Sequence, residues 1–225
     1  MNSEVSRRSV VQSGLAAGVA LAMGGAVARA AERSGATLAP ITKAIPSTGE
    51  QLRVVGLGTN QYSVTSPEDV AARREVLDNF PKLGANVIDT ARAYGESEVV
   101  IGKLLEELAN RDQFFLATKS AIRGQVAPGD GELELSLQRL RTERNDLMQI
   151  HNFNGLDELF PRFLEWQQAK QVRYLGVTCS TDDLYPQMLD AMNRRKLDII
   201  QVDYSIDNRG AGERILPLAQ VKGIT

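Results

Sequence analysis

Three apolar runs of this chain each end in an ionisable side chain. Asn86-Val87-Ile88 ends in Asp89, and Tyr94 follows five residues later beside Gly95. Phe114 to Thr118 ends in Lys119, and Leu147 to Ile150 ends in His151, the only histidine of the 225 residues. A free tyrosine titrates near pH 10 and is a weak proton donor at neutral pH. A lysine ammonium about 4 Å away, at an effective dielectric near 20, acts with a gross strength of about 4 kcal/mol. After desolvation losses that is enough to lower a phenol by about two pKa units. Asp89 would keep the lysine charged and oriented, and His151 could donate a hydrogen bond to the oxygen that the tyrosine protonates. The set describes a tyrosine general acid beside an oxyanion site. With no activated nucleophile and no metal-ligand cluster in the pattern, it suits reduction of a carbonyl by hydride from a bound cofactor.

Such convergence requires neighbouring parallel strands that finish on one rim. Strand-like runs fall at residues 53–59, 86–91, 114–120, 147–152, 173–179 and 199–205. They alternate with helical patterns at 67–83, 96–110, 131–141, 156–170, 183–194 and 211–223. In the first helix Ser66 is placed to cap, Pro67 lies in the first turn, and Val70, Val76, Leu77 and Phe80 share a face. The strands are apolar on both faces, as in parallel sheets covered by helices. Ahead of them, 41–45 and 51–55 flank Pro46-Ser47-Thr48-Gly49, a hairpin signal. The alternation fits either a doubly wound sheet or a closed barrel. Gly56-Leu57-Gly58-Thr59-Asn60-Gln61 lacks the third glycine of the dinucleotide fingerprint, which argues against a Rossmann domain.

The composition, 43% hydrophobic and 24% charged with a net charge of -2, is that of a soluble globular protein and argues against nucleic acid as a partner. Cys179 is the single cysteine, so no intrachain disulfide can form. Residues 1–30 read as a secretory signal: Arg7-Arg8, a weakly apolar run from Gly14 to Val27, then Ala28-Arg29-Ala30 as a cleavage pattern. The paired arginines resemble a twin-arginine signal, which implies the twin-arginine export machinery and a periplasmic destination. The apolar run is about 14 residues, short of the roughly 20 needed to span a bilayer, so no stable membrane anchor is expected. Residues 31–40 read as a polar linker.

Asp89-Thr90-Ala91-x-x-Tyr94-Gly95-x-Ser97-Glu98, with Gly102 in the next helix, resembles the aldo-keto reductase signature. Ala117-Thr118-Lys119, Ile150-His151-Asn152 and the hairpin leading into Gly56-Leu57-Gly58-Thr59 match in order and approximate spacing. The resemblance implies an α/β fold, a (β/α)8 TIM-type barrel with an N-terminal β-hairpin, here incomplete with about six βα units in residues 41–225. It implies NAD(P)H-dependent reduction of a small aldehyde or ketone, with NADP(H) expected over NAD(H). Tyr94 would be the acid/base, Lys119 and Asp89 its tuning pair, and His151 the carbonyl orienter. Gly58, Thr59, Asn60, Thr178, Cys179 and Gln201 would hold cofactor, with Cys179 standing where many members have asparagine. Because the sequence stops at Thr225, where a seventh strand would begin, the chain is expected to be C-terminally truncated. The alternative is a slow or non-catalytic cofactor-binding, redox-sensing subunit on the same barrel, or an inactive fragment.

Overall fold

The hairpin expected near the N-terminus is present, as β1 (Thr42–Ala44) paired antiparallel with β2 (Gln51–Arg53), Thr42 opposite Arg53. Gly49 closes its turn at φ 75°, a conformation that favours glycine. The computed structural model describes residues 39–121 and 132–225. The signal of residues 1–30, nearly all of the 31–40 linker, and Gly131 lie outside the described residues.

Six further strands form one sheet: β3 (Gly56–Gly58), β4 (Val87–Asp89), β5 (Phe115–Ser120), β6 (Asn145–Ile150), β7 (Val172–Cys179) and β8 (Ile199–Val202). All neighbours are parallel and lie in sequence order. A doubly wound sheet would reverse its order at a switch point; this one never does. The helices α1 (Pro67–Asn79), α2 (Ser97–Leu108), α3 (Glu132–Leu140), α4 (Leu156–Gln168) and α5 (Tyr185–Arg194) fill the crossovers, and α6 (Ala211–Lys222) follows β8.

The sheet is strongly curled. In a flat sheet β4 and β8, four positions apart, would be separated by about 19 Å. Yet Gln201 of β8 donates from Nε2 to Asp89 Oδ2 of β4 at 3.3 Å. The six strands are therefore an arc of a (β/α) barrel, with Asp89, Lys119, Thr178 and Gln201 on its inner face by the two-residue alternation of strands.

Boundaries differ from the sequence pattern where polar or exposed backbone intervenes. The run 53–59 is two strands. Val54 and Val55 are exposed, and Val54 N bonds Ile41 O at 3.2 Å, so the chain leaves the hairpin before entering the sheet. The runs 147–152 and 199–205 end early, at Ile150 and Val202, and His151 starts a 3-10 turn (His151–Phe153). The helix expected over 67–83 stops at Asn79. Its Ser66 cap is real, accepting from Asp69 N at 3.1 Å, but of its expected apolar face Leu77 alone is fully buried and Val76 is exposed.

Outward-facing strand residues (Leu116, Met148, Ile150, Leu175, Val177) pack under the helices. Inside, Ile45 of the hairpin packs with Phe115, Leu147, Tyr174 and Ile199, filling the end of the arc where the strands start. Glu50, just before β2, pairs with Arg173 and Tyr174. Arg173 Nη1 reaches Asp146 Oδ1 at 2.8 Å, and Asp146 Oδ2 accepts from Leu116 N at 2.8 Å and Arg111 Nη2 at 3.1 Å.

Gly102 marks the closest helix contact. A Cβ there would lie 2.2 Å from Arg139 O and 2.6 Å from Leu140 C, at the end of α3. Gly102→Ala should therefore cost about 1–3 kcal/mol of stability through overpacking, despite alanine's better helix propensity, read as a lower urea midpoint at unchanged slope.

Candidate active site

Each site side chain is placed by a strand end. Asp89 is the last residue of β4, and Lys119 lies one residue before the end of β5, next to it in the sheet. Lys119 is 2% exposed at its side chain and Asp89 23%. The ammonium donates to Asp89 Oδ1 and Oδ2, each at 2.7 Å, and to Thr90 O at 2.9 Å. An ammonium has three hydrogens, so its donors are all used.

Tyr94 arrives by a tight turn. Tyr94 N bonds Ala91 O at 3.0 Å and Ser97 N bonds Tyr94 O at 3.1 Å. Gly95 adopts φ 60°, and a Cβ on it would meet Ser63 Oγ at 2.7 Å. The turn sets the phenol ring over Lys119, with Nζ 5.2 Å from its centroid, and edge-on to His151 at 5.9 Å with an 85° interplanar angle. Asn152 and Phe153 both have positive φ (51° and 59°), unusual for side-chain-bearing residues and for Phe especially. Asn152 N bonds Thr178 Oγ1 at 3.1 Å and Asn152 Nδ2 bonds Ser180 Oγ at 3.1 Å, which fixes the turn that carries the imidazole.

A cavity of about 200 Å3 opens at this rim among Tyr94, Lys119, His151, Thr178, Cys179 and Gln201. Of the ten residues singled out from the sequence, these six meet there. Asp89 joins through Lys119 and Gln201. Gly58, Thr59 and Asn60 do not line it. Thr59 is buried, and its hydroxyl donates to Asp89 O at 2.8 Å, a strand-end tie. Asn152, Ser180, Val202 and Asp203 also line the cavity and were not foreseen. Asn152, Ser180 and Val202 directly follow expected site residues, a signal in the sequence itself. A larger cleft of about 690 Å3 lies at the opposite strand ends, but its central charges, Arg111, Arg173, Glu50 and Asp146, neutralise one another. Among the described residues no group of three His, Cys, Asp or Glu could hold a metal.

The electrostatics correct one expectation. The Tyr94 phenol is not acidified. Burial pushes its pKa above 10, and the Asp89 carboxylate pushes the same way. The Lys119 ammonium is paired with Asp89 and lies over the ring, 5.2 Å from its centroid. Burial lowers the pKa of Lys119, opposed by its attraction to and hydrogen bond with Asp89. Burial, then Asp203, Asp182 and Asp183, raises the Cys179 thiol to about 11, so it is inert as a nucleophile at neutral pH.

The chain belongs to the aldo/keto reductase family, whose model matches residues 54–225. It is 31% identical over 205 residues to aldo-keto reductase YhdN of Bacillus subtilis, covering 80% of this chain and 59% of that protein. It is 29% identical over 170 residues to the NADH-specific methylglyoxal reductase of Escherichia coli, covering 64% and 51%. Among solved structures, aldo-keto reductase AKR11C1 from Bacillus halodurans (holo form) superposes with TM-score 0.68 at 26% identity, covering 83% of this chain and 64% of that one. The glycerol dehydrogenase AKR11B4 from Gluconobacter oxydans gives 0.64 at 27%, covering 82% and 61%. The chain spans between a third and about three fifths of the length of the curated relatives it matches.

Because the folded state holds the Tyr94 proton more tightly than the unfolded chain, its contribution to stability is complete below pH 10 and is lost as pH rises through the folded-state value. An ultraviolet difference titration of wild type minus Tyr94→Phe should show this phenol ionising only above pH 10. An ionisation below pH 9 would restore the acidified tyrosine.

Proposed function

We propose that this chain carries the reacting end of an NAD(P)H-dependent reductase that converts a small aldehyde or ketone to an alcohol. The observation that supports the reading is the meeting of Tyr94, Lys119 and His151 around one cavity at the strand C-termini, with Asp89 behind them. Barrel enzymes keep their chemistry on that face.

The phenol of Tyr94 is fully protonated at neutral pH and donates that proton to the carbonyl oxygen. The phenolate left behind faces the Lys119 ammonium, which Asp89 holds in place. The imidazole of His151, edge-on to the phenol, donates a hydrogen bond to the same oxygen. A bound nicotinamide would supply the hydride. The Thr178 hydroxyl and the Gln201 amide offer polar partners for its carboxamide. The cavity of about 200 Å3 that these residues line would take a nicotinamide ring beside a small carbonyl. NADP(H) is the expected cofactor. The NADH-specific relative in Escherichia coli makes the choice between the two a direct measurement.

In an NADPH oxidation assay with a panel of aldehydes, Tyr94→Phe should lose about 10²–10⁴-fold in kcat with little change in folding. Full activity in that variant would remove Tyr94 as the acid. Parallel assays with NADH settle the cofactor.

The leader pattern supports export through the twin-arginine route to the periplasm after cleavage near Ala30. On cell fractionation the full chain should be periplasmic, and Arg7→Lys with Arg8→Lys should hold it in the cytoplasm. Export of that double variant would reject the route.

A further inference from the structure

We propose that Glu98 is a positioning residue that fixes the separation of the Tyr94 turn from the strand bearing Lys119; its catalytic consequence rests on the reductase reading above. Glu98 is in the first turn of α2 and is fully buried. A buried carboxylate is costly unless bonded or paired, so its partners indicate what it holds; all its hydrogen bonds fall on Oε1, while Oε2 accepts none. Oε1 accepts from Thr118 Oγ1 at 2.6 Å and from Ser136 Oγ at 2.9 Å. Thr118 immediately precedes Lys119 on β5 and points to the opposite face, outward, while Lys119 points in. Ser136 belongs to α3. Arg139 Nη1, also on α3, lies 4.0 Å from Oε2 and donates to Gly95 O at 3.4 Å. One step earlier in α2, Ser97 Oγ donates to Thr59 O at 2.9 Å, at the end of β3.

The Tyr94 turn thus runs directly into a helix start secured to β3 through Ser97, to β5 through Glu98 and to α3 through the same carboxylate. The β5 tie attaches one residue from the lysine. Before Tyr94 the chain is joined to β5 by Thr90 N to Ala117 O at 2.9 Å and Arg92 N to Lys119 O at 3.2 Å; the Glu98 tie joins it to β5 after Tyr94. Glu98 touches neither the cavity nor a reacting atom, so its effect acts through Tyr94.

His151, the only histidine, gives an activity-independent readout. The imidazole is the single one of the chain, and the Tyr94 ring lies edge-on to it at 5.9 Å, so its proton resonances should report the position of that ring. In the full chain, Glu98→Ala should move those resonances toward their positions in Tyr94→Ala and lower kcat about 30- to 100-fold, with KM changed less than threefold. Glu98→Gln keeps an oxygen acceptor for both hydroxyls and should restore the resonances and most of kcat. Thr118→Val, which removes the β5 tie at near-constant volume, should reproduce the shift, and it carries the test if Glu98→Ala does not fold. Unmoved His151 resonances in folded Glu98→Ala or Thr118→Val would overturn the proposal. If no carbonyl substrate turns over in wild type, the reductase reading fails while the resonances still decide the role of Glu98.

Discussion

Everything at this rim depends on an ammonium kept charged where water barely reaches. Removing a lysine from water costs several kcal/mol, and the cost is met only by good geometry and fully used hydrogens. Here all three go to Asp89 and Thr90. That pairing is possible because β4 and β5 are adjacent and parallel, with Asp89 in register with Ala117, two residues before the lysine. A one-residue slip would turn Lys119 outward into the helix layer and leave Asp89 unpaired. The strand order, the register and the tyrosine turn are all conditions of that one ion pair.

The same pair changes what the tyrosine is. A cation already matched by a carboxylate has little field left to give, so the phenol keeps its proton through neutral pH. It is a proton store, not a preformed phenolate.

Much of this was legible in the sequence because strand ends are legible. Asp89, Lys119 and His151 each close an apolar run, and parallel strands carry their ends to one side. The helix cap at Ser66 and the hairpin were equally local signals. Strand order was not local. Six alternating units fit two architectures, and pairing in sequence order, with Gln201 reaching Asp89, distinguished them. The single run read over 53–59 concealed a break, because Val54 and Val55 look like strand residues yet sit exposed between two sheets. The tyrosine's titration is hidden for a related reason: spacing indicates that a lysine is near but not that its hydrogens are spent. The Thr59 hydroxyl donates to Asp89's own carbonyl, a contact between strand ends that no local pattern signals.

Gln201 spends one amide hydrogen on Asp89 from the far side of the arc. A ligand that claims that hydrogen leaves the carboxylate with one fewer donor and a stronger pull on the ammonium beside it. Linkage is reciprocal, so the charge on that ammonium must in turn affect how firmly such a ligand is held. Occupancy at the eighth strand and protonation at the fifth are then coupled equilibria, joined through one carboxylate.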